Sequence, residues 1–271
     1  MADIGKLVDL VARLRAPDGC PWDREQGLAD LRAYLLEESH EAAAALDRVV
    51  AAQTAGEAAG GAWSDLAGEL GDLLFQVAFV LRLGAEAGQL DAAAVVDRVH
   101  AKMVERHPHV FPPAGGEAPK HDDAAAVAAA WERGKLARGE SASLLAGVPA
   151  SLPSLLAAYR LTQKAAGVGF DWPEASAVLD KVEEEVAELR AEMAAGRDAA
   201  AVAEAGDLLF TVANLVRKLG ADPEAALAAT NARFRRRFGA VEAALAAQGK
   251  RLEEVRLGEL DRLWEQAKSE E

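Results

Sequence analysis

The chain is 271 residues long, 51% apolar but only 5% aromatic, and carries a formal net charge of −14. Such acidity excludes a nucleic-acid polymer as partner, which needs a basic face; it still admits a nucleotide, because a bound metal ion inverts the local charge. The single cysteine, Cys20, excludes an intrachain disulfide and suits a reducing compartment.

The first thirty residues lack the basic start and continuous apolar run of a signal peptide. The apolar stretch 75–83 is too short to span a bilayer and contains Arg82. The expectation is a cytoplasmic protein with no membrane partner. Apolar residues recur at helical spacing along nearly the whole chain, beginning with the stripe Ile4, Leu7, Val8, Val11 and Leu14. After this opening helix, the periodicity predicts helices over 27–52, 63–88, 91–106, 122–138, 153–165, 174–196, 199–219, 222–247 and 256–269. No alternating strand pattern competes with them, so the expected class is all-α. Breaks fall at Ala16-Pro17-Asp18-Gly19, in the glycine-rich 55–62, in the proline-rich 108–120 and at 139–153. The last of these separates two expected domains, 1–140 and 153–271, joined by a linker at 141–152.

The two halves repeat each other. Gly71-Asp72-Leu73-Leu74-Phe75 returns as Gly206-Asp207-Leu208-Leu209-Phe210, each with a glutamate two residues before the glycine. Upstream, Glu37-Glu38-Ser39-His40-Glu41 answers Glu184-Glu185-Val186-Ala187-Glu188. Downstream, Lys102 to Arg106 answers Arg233 to Arg237, and Trp131 to Lys135 answers Trp264 to Lys268. Four matches in one order indicate an internal duplication. The acidic blocks are 27 residues apart in the first half and 15 in the second. The longer, glycine-rich gap predicts a looser coupling of the two acidic helices in the first half, and so a regulatory or dimer-forming role.

On a helix, Glu184, Glu185 and Glu188 fall within an arc of about 100°. Glu204 and Asp207, three apart on the next helix, also share a face. The short connection makes these helices antiparallel neighbours, so four or five carboxylates are expected to converge. Acidic helix faces are often merely solvated, but here each motif abuts an apolar run, and a mid-helix glycine costs about 1 kcal/mol relative to alanine. A glycine placed there twice predicts the close approach of a helix or a ligand. Converging carboxylates need cations, and all-oxygen ligands suit Mg²⁺, with Mn²⁺ as a substitute, rather than zinc. Mg²⁺ so held points to phosphoryl chemistry. Arg233 and Arg237 share a face and suit phosphate oxygens. Asn231 is a candidate for a sugar or base contact, Trp264 for stacking on a base, and Lys268 lies one turn beyond Trp264.

These motifs resemble the MazG family of nucleoside triphosphate pyrophosphohydrolases, whose signature is EExxE followed by ExxD. Cys20-Pro21-Trp22-Asp23, Arg106-His107-Pro108-His109-Val110-Phe111 and Val168-Gly169-Phe170-Asp171-Trp172 are similar to its two-domain type. The resemblance implies a tandem pair of four-helix-bundle-like domains, a homodimer, and Mg²⁺ in the acidic cluster. It implies hydrolysis of nucleoside triphosphates to monophosphate and pyrophosphate, with the second domain catalytic. The expected metal ligands are then Glu184, Glu185, Glu188, Glu204 and Asp207, with Glu185 as the candidate base. Asn231, Arg233, Arg237, Trp264 and Lys268 are the expected substrate contacts. The first half keeps a second possible metal site, Glu37, Glu38, Glu41, Glu69 and Asp72, with Lys102 and Arg106 as possible phosphate contacts. Alternatives are a narrower dUTPase-like or phosphoribosyl-ATP pyrophosphohydrolase, or a non-catalytic nucleotide-binding regulator.

Overall fold

The computed structural model describes residues 4–112 and 143–270, with scattered positions between them. Among the described residues the regular structure is entirely helical, as expected. The chain divides into two compact units, Met1–Pro119 and Lys120–Glu271. The expected helix over 122–138, with Trp131 and Lys135, lies almost wholly outside the described residues.

The first unit contains α1 (Gly5–Leu14), α2 (Pro21–Glu25), α3 (Leu28–Ala55), α4 (Gly60–Glu86) and α5 (Ala92–Arg106). α2 was not anticipated: Pro21 occupies its first turn, where a missing N–H costs nothing. α3 and α4 form an antiparallel hairpin. Leu31 near the start of α3 packs with Phe79 near the end of α4, and α1 adds Val11 to this cluster. At the other end Ala45 and Val49 pack with Leu66. The expectation of loose coupling here is overturned. Half of the glycine-rich stretch is helix, because α4 begins at Gly60 and only Gly56 to Ala59 remain as a turn. α3 and α4 pair as extensively as their counterparts in the second unit. The longer gap is therefore extra helix rather than slack loop.

The second unit contains a 3₁₀ turn (Leu144–Gly147), α6 (Ser154–Ala166), α7 (Ala175–Ala194), α8 (Asp198–Lys218), α9 (Pro223–Ala247), a 3₁₀ turn (Leu252–Glu254) and α10 (Leu257–Ser269). α7 and α8 repeat the hairpin, while α6 packs on α8 and α10 on α9. The turns of the two hairpins close through Gly56 (φ 69°) and Gly196 (φ 68°), in the left-handed region that side chains avoid. Asp222 caps α9 by accepting from the Glu224 and Ala225 amides, with Pro223 as the first helical residue.

Within its own unit nothing packs closely against the repeated glycine. A Cβ added at Gly71 or Gly206 would meet nothing within 4 Å. Both glycines lie on outward faces. α8 is the one helix among the described residues that is long and apolar enough to cross a bilayer by length and composition, and only 17% of its apolar window is buried.

Candidate active site

In the second unit the α7–α8 hairpin brings Glu185, Glu188 and Glu204 together, with one oxygen from each within 4.8 Å of the others. Glu185 is buried (5% exposed), whereas Glu188 is exposed and Glu204 intermediate. Held this close, the ionised carboxylates repel one another, less so where they face solvent. Glu204 responds with a pKa above the ordinary carboxylate value, first through burial and then through the charges of Glu188, Asp207 and Glu185. Asp207 thus adds its field to the cluster without joining the close triad.

Glu184 is exposed beside the triad and is not one of its three close carboxylates. Lys181, one turn earlier on α7, reaches both Glu184 and Glu185 at 2.9 Å. Hydrogen bonds to Glu184 and Glu185 push the lysine's own pKa up. Lys181 escaped the sequence reading, although its i,i+3 and i,i+4 spacing to the acidic pair is the usual sign of an intrahelical ion pair.

The first unit forms the matching triad Glu38, Glu41 and Glu69, also within 4.8 Å. It lies between the two apolar clusters of α3 and α4, so the hairpin register that seals both ends aligns the acids between them. Burial, followed by the charges of Glu41 and Asp72, raises the pKa of Glu38, against a hydrogen bond from Gln76 that lowers it. Glu37 and Asp72 are exposed beside the triad, and His40 is exposed on α3. Lys102 and Arg106 sit in the last turns of α5, the first exposed and the second partly buried.

Each triad fits a divalent cation. Its donors are all carboxylate oxygens, and an octahedral ion with bonds of about 2.1 Å needs only small side-chain rotations to draw such oxygens onto itself.

The basic row of α9 meets α10 through aromatic packing. Trp264 lies 5.1 Å from Phe234 (centroid to centroid), and the Arg237 guanidinium stands 5.9 Å over the Trp264 ring. Phe234 stacks in turn on Phe238 at 5.9 Å. Arg233 donates to Thr230 at 2.8 Å, and Lys268 pairs with Glu265 at 3.5 Å. Asn231 is exposed on α9. The structure therefore groups Arg237 with Trp264 through an aromatic platform that the sequence reading did not include.

The loop entering α7 is tied to the end of α8. Asp171 accepts from Arg217 at 2.5 Å and from Lys218 at 3.2 Å, and Lys218 also donates to the Trp172 carbonyl. Burial pushes the Asp171 pKa up, but these cationic donors outweigh it and hold the pKa below the ordinary value. A carboxylate that titrates lower in the folded chain contributes its full stabilisation above the unfolded pKa near 3.9, and loses it as pH falls through the folded value. Asp171→Asn should therefore lower unfolding free energy by about 2 kcal/mol at pH 7, with the deficit disappearing in strong acid. Urea titrations of both proteins from pH 7 down to pH 3 would show it; a constant difference across that range would refute the ion-pair account.

Two helical units, each carrying a paired-carboxylate cluster suited to a divalent cation, define the class of protein. Residues 26–111 match the family model described as the MazG nucleotide pyrophosphohydrolase domain, and residues 163–234 match that of phosphoribosyl-ATP pyrophosphohydrolase. The chain is 38% identical to a nucleoside triphosphate pyrophosphohydrolase of Escherichia coli (strain K12), over 100% of this chain and 99% of the relative. It is 35% identical to the nucleoside triphosphate pyrophosphohydrolase/pyrophosphatase MazG of Thermotoga maritima, over 97% of this chain and 94% of that one. The uncharacterized protein YabN of Bacillus subtilis (strain 168) is 37% identical over 97% of this chain and 51% of its own length. The chain belongs to the MazG family.

Proposed function

We propose that this protein is a nucleoside triphosphate pyrophosphohydrolase of broad specificity, serving nucleotide house-cleaning, with its working site on α7 and α8. The observation that carries this is the Glu185–Glu188–Glu204 triad, three carboxylates from two helices held within 4.8 Å. The family of the chain and the names of its full-length relatives support the same chemistry. Mg²⁺, or Mn²⁺ in its place, would be held by Glu185, Glu188 and Glu204 with Asp207 beside them; it supplies charge neutralisation at the phosphates and a lower pKa for the attacking water.

The chain's own groups do the rest. Water adds at the anhydride between the α and β phosphates, the bridging P–O bond breaks, and the two products leave as monophosphate and pyrophosphate. Glu185 is assigned as acceptor of the water's proton, on the strength of its burial and its central place in the triad. Lys181 fixes the orientation of the Glu185 carboxylate through a 2.9 Å ion pair. Arg233 and Arg237 are assigned to phosphate oxygens, and Trp264 to the base, with Asn231 and Lys268 at the edge of that surface. The first unit is assigned a regulatory role, and the dimer surface is placed on α8.

A homodimer is part of this reading. Val202, Gly206, Leu209 and Phe210 lie exposed at i, i+4, i+7 and i+8 on α8, Leu209 at 61%, and the glycine leaves room for a partner helix. Light scattering that returned the mass of one chain would remove the dimer. The acidic surface and single cysteine favour a soluble cytoplasmic enzyme.

The test is pyrophosphate release with Mg²⁺ across ribo- and deoxynucleoside triphosphates, with dUTP and phosphoribosyl-ATP included. Release from many nucleotides supports the reading. Release from phosphoribosyl-ATP alone would favour the narrower enzyme, which the match over residues 163–234 makes the second candidate. Nucleotide binding without release would leave a regulator.

A further inference from the structure

Asn214 on α8 is 1% exposed, in a helix otherwise rich in apolar residues. Its Oδ1 accepts from Arg217 Nε at 2.9 Å. Arg217 offers only donors, so this contact turns the amide nitrogen the other way. That nitrogen, Nδ2, is buried and has no hydrogen-bond partner among the described residues. An unpaired buried donor costs about 1–3 kcal/mol, and such a group calls for a specific explanation.

Asn214 continues the acidic face. Glu204, Asp207, Thr211 and Asn214 fall within an arc of about 80° on α8, and Asn214 lies about 10 Å along the axis from Asp207. Thr211 and Asn214 are both buried, so a polar stripe runs from the carboxylates into the hairpin interface. That separation is of the order of a nucleoside's length.

The duplication supplies the contrast. By the offset that matches the two GDLLF segments, Asn214 corresponds to Phe79, and Thr211 to Gln76. By the offset that matches the EExxE segments, Val11, Leu31 and Tyr34 correspond to Ala158, Val178 and Lys181. In the first unit Phe79 is 2% exposed, packs with Val11 and Leu31, and is covered by Tyr34. The Arg15 guanidinium stands 5.6 Å over its ring. Gln76 turns to Glu38. The second unit puts smaller side chains at the corresponding positions, and an equally buried but unpaired donor where the first has an apolar plug.

Building on the assignment of the active site to α7 and α8, we infer that Asn214 is a nucleoside-binding residue: its Nδ2–H donates to an acceptor on the base or sugar of the bound nucleotide. Arg217, anchored by Asp171, holds the amide in that orientation. Phe79 closes the corresponding place in the first unit, so that its triad can take a cation and phosphates but no nucleoside.

The test is calorimetry with Mg²⁺ on the full chain, using an α,β-methylene nucleoside triphosphate and inorganic tripolyphosphate as ligands. Asn214→Asp keeps the acceptor for Arg217 and removes the donor; Asn214→Leu removes both at similar size. Both variants are expected to weaken the nucleotide analogue about tenfold, the effect of one good hydrogen bond, while tripolyphosphate keeps its affinity. Unchanged analogue binding in both variants would overturn the inference. So would equal losses for the two ligands, since Asn214 would then act only through the fold. If the wild-type chain binds neither ligand, the placement of the active site itself fails, and the inference falls with it.

Discussion

Glu185→Gln/Glu188→Gln should lower pyrophosphate release by about 10²–10⁴-fold at saturating Mg²⁺, the range expected when proton transfer and cation binding are both impaired. The same pair of changes in the first unit, Glu38→Gln/Glu41→Gln, should leave release within about twofold, because it removes no group from the second cluster. Steady-state release across the four possible proteins, wild type and both double variants combined, separates the outcomes. Equal losses from both pairs would mean that each unit turns over substrate, and the assignment of a regulatory role to the first unit would be lost. Glu38→Gln/Glu41→Gln is also expected to be no less stable than wild type without metal, since it removes like-charge repulsion from a triad spaced within 4.8 Å, whereas Glu185→Gln/Glu188→Gln trades that relief against the lost Lys181–Glu185 pair. A fall in the melting temperature of Glu38→Gln/Glu41→Gln would show that the acids hold the hairpin together, contrary to the electrostatics.

Removal of divalent cations is expected to have the second-largest effect. Chelation should abolish turnover, and restoring Mg²⁺ at 100 times its dissociation constant should stabilise the fold by about 2.7 kcal/mol for one site. The thermal shift should shrink in Glu185→Gln/Glu188→Gln and again in Glu38→Gln/Glu41→Gln, because each variant removes one of the two triads. Scanning calorimetry with and without Mg²⁺ reads this directly. A wild-type melting temperature that ignores Mg²⁺ would remove cation binding as the purpose of both clusters.

Much of this protein was legible before any tertiary structure, and for local reasons. Helical periodicity at 3.6 residues places Glu184, Glu185 and Glu188 on one arc and Glu204 with Asp207 on another, since both patterns depend only on spacing along one helix. The duplication was legible for the same reason: GDLLF, EExxE and the basic and tryptophan blocks recur in order. Where the sequence reading went wrong, a local rule met a tertiary one. The glycines of 55–62 were taken as a loosening loop, but packing of Leu66 and Ala62 against Ala45 and Val49 draws Gly60 and Gly61 into α4. Gly206, taken as a site of close approach of a helix or a ligand, meets nothing within its own unit, which leaves that place to a partner or a ligand.

By itself, then, the sequence determined the helices, the repeat and the identity of the acids, because these follow from composition and from spacing within single helices. Only the tertiary structure decided which acids converge. The register of the α7–α8 hairpin selects Glu185, Glu188 and Glu204, and leaves Glu184 to Lys181. It also decided what lies beyond the triads: Phe79 closes one hairpin while Asn214 keeps an unpaired donor in the other. Those distinctions arise from contacts between residues far apart in the chain, and no period of 3.6 residues encodes them.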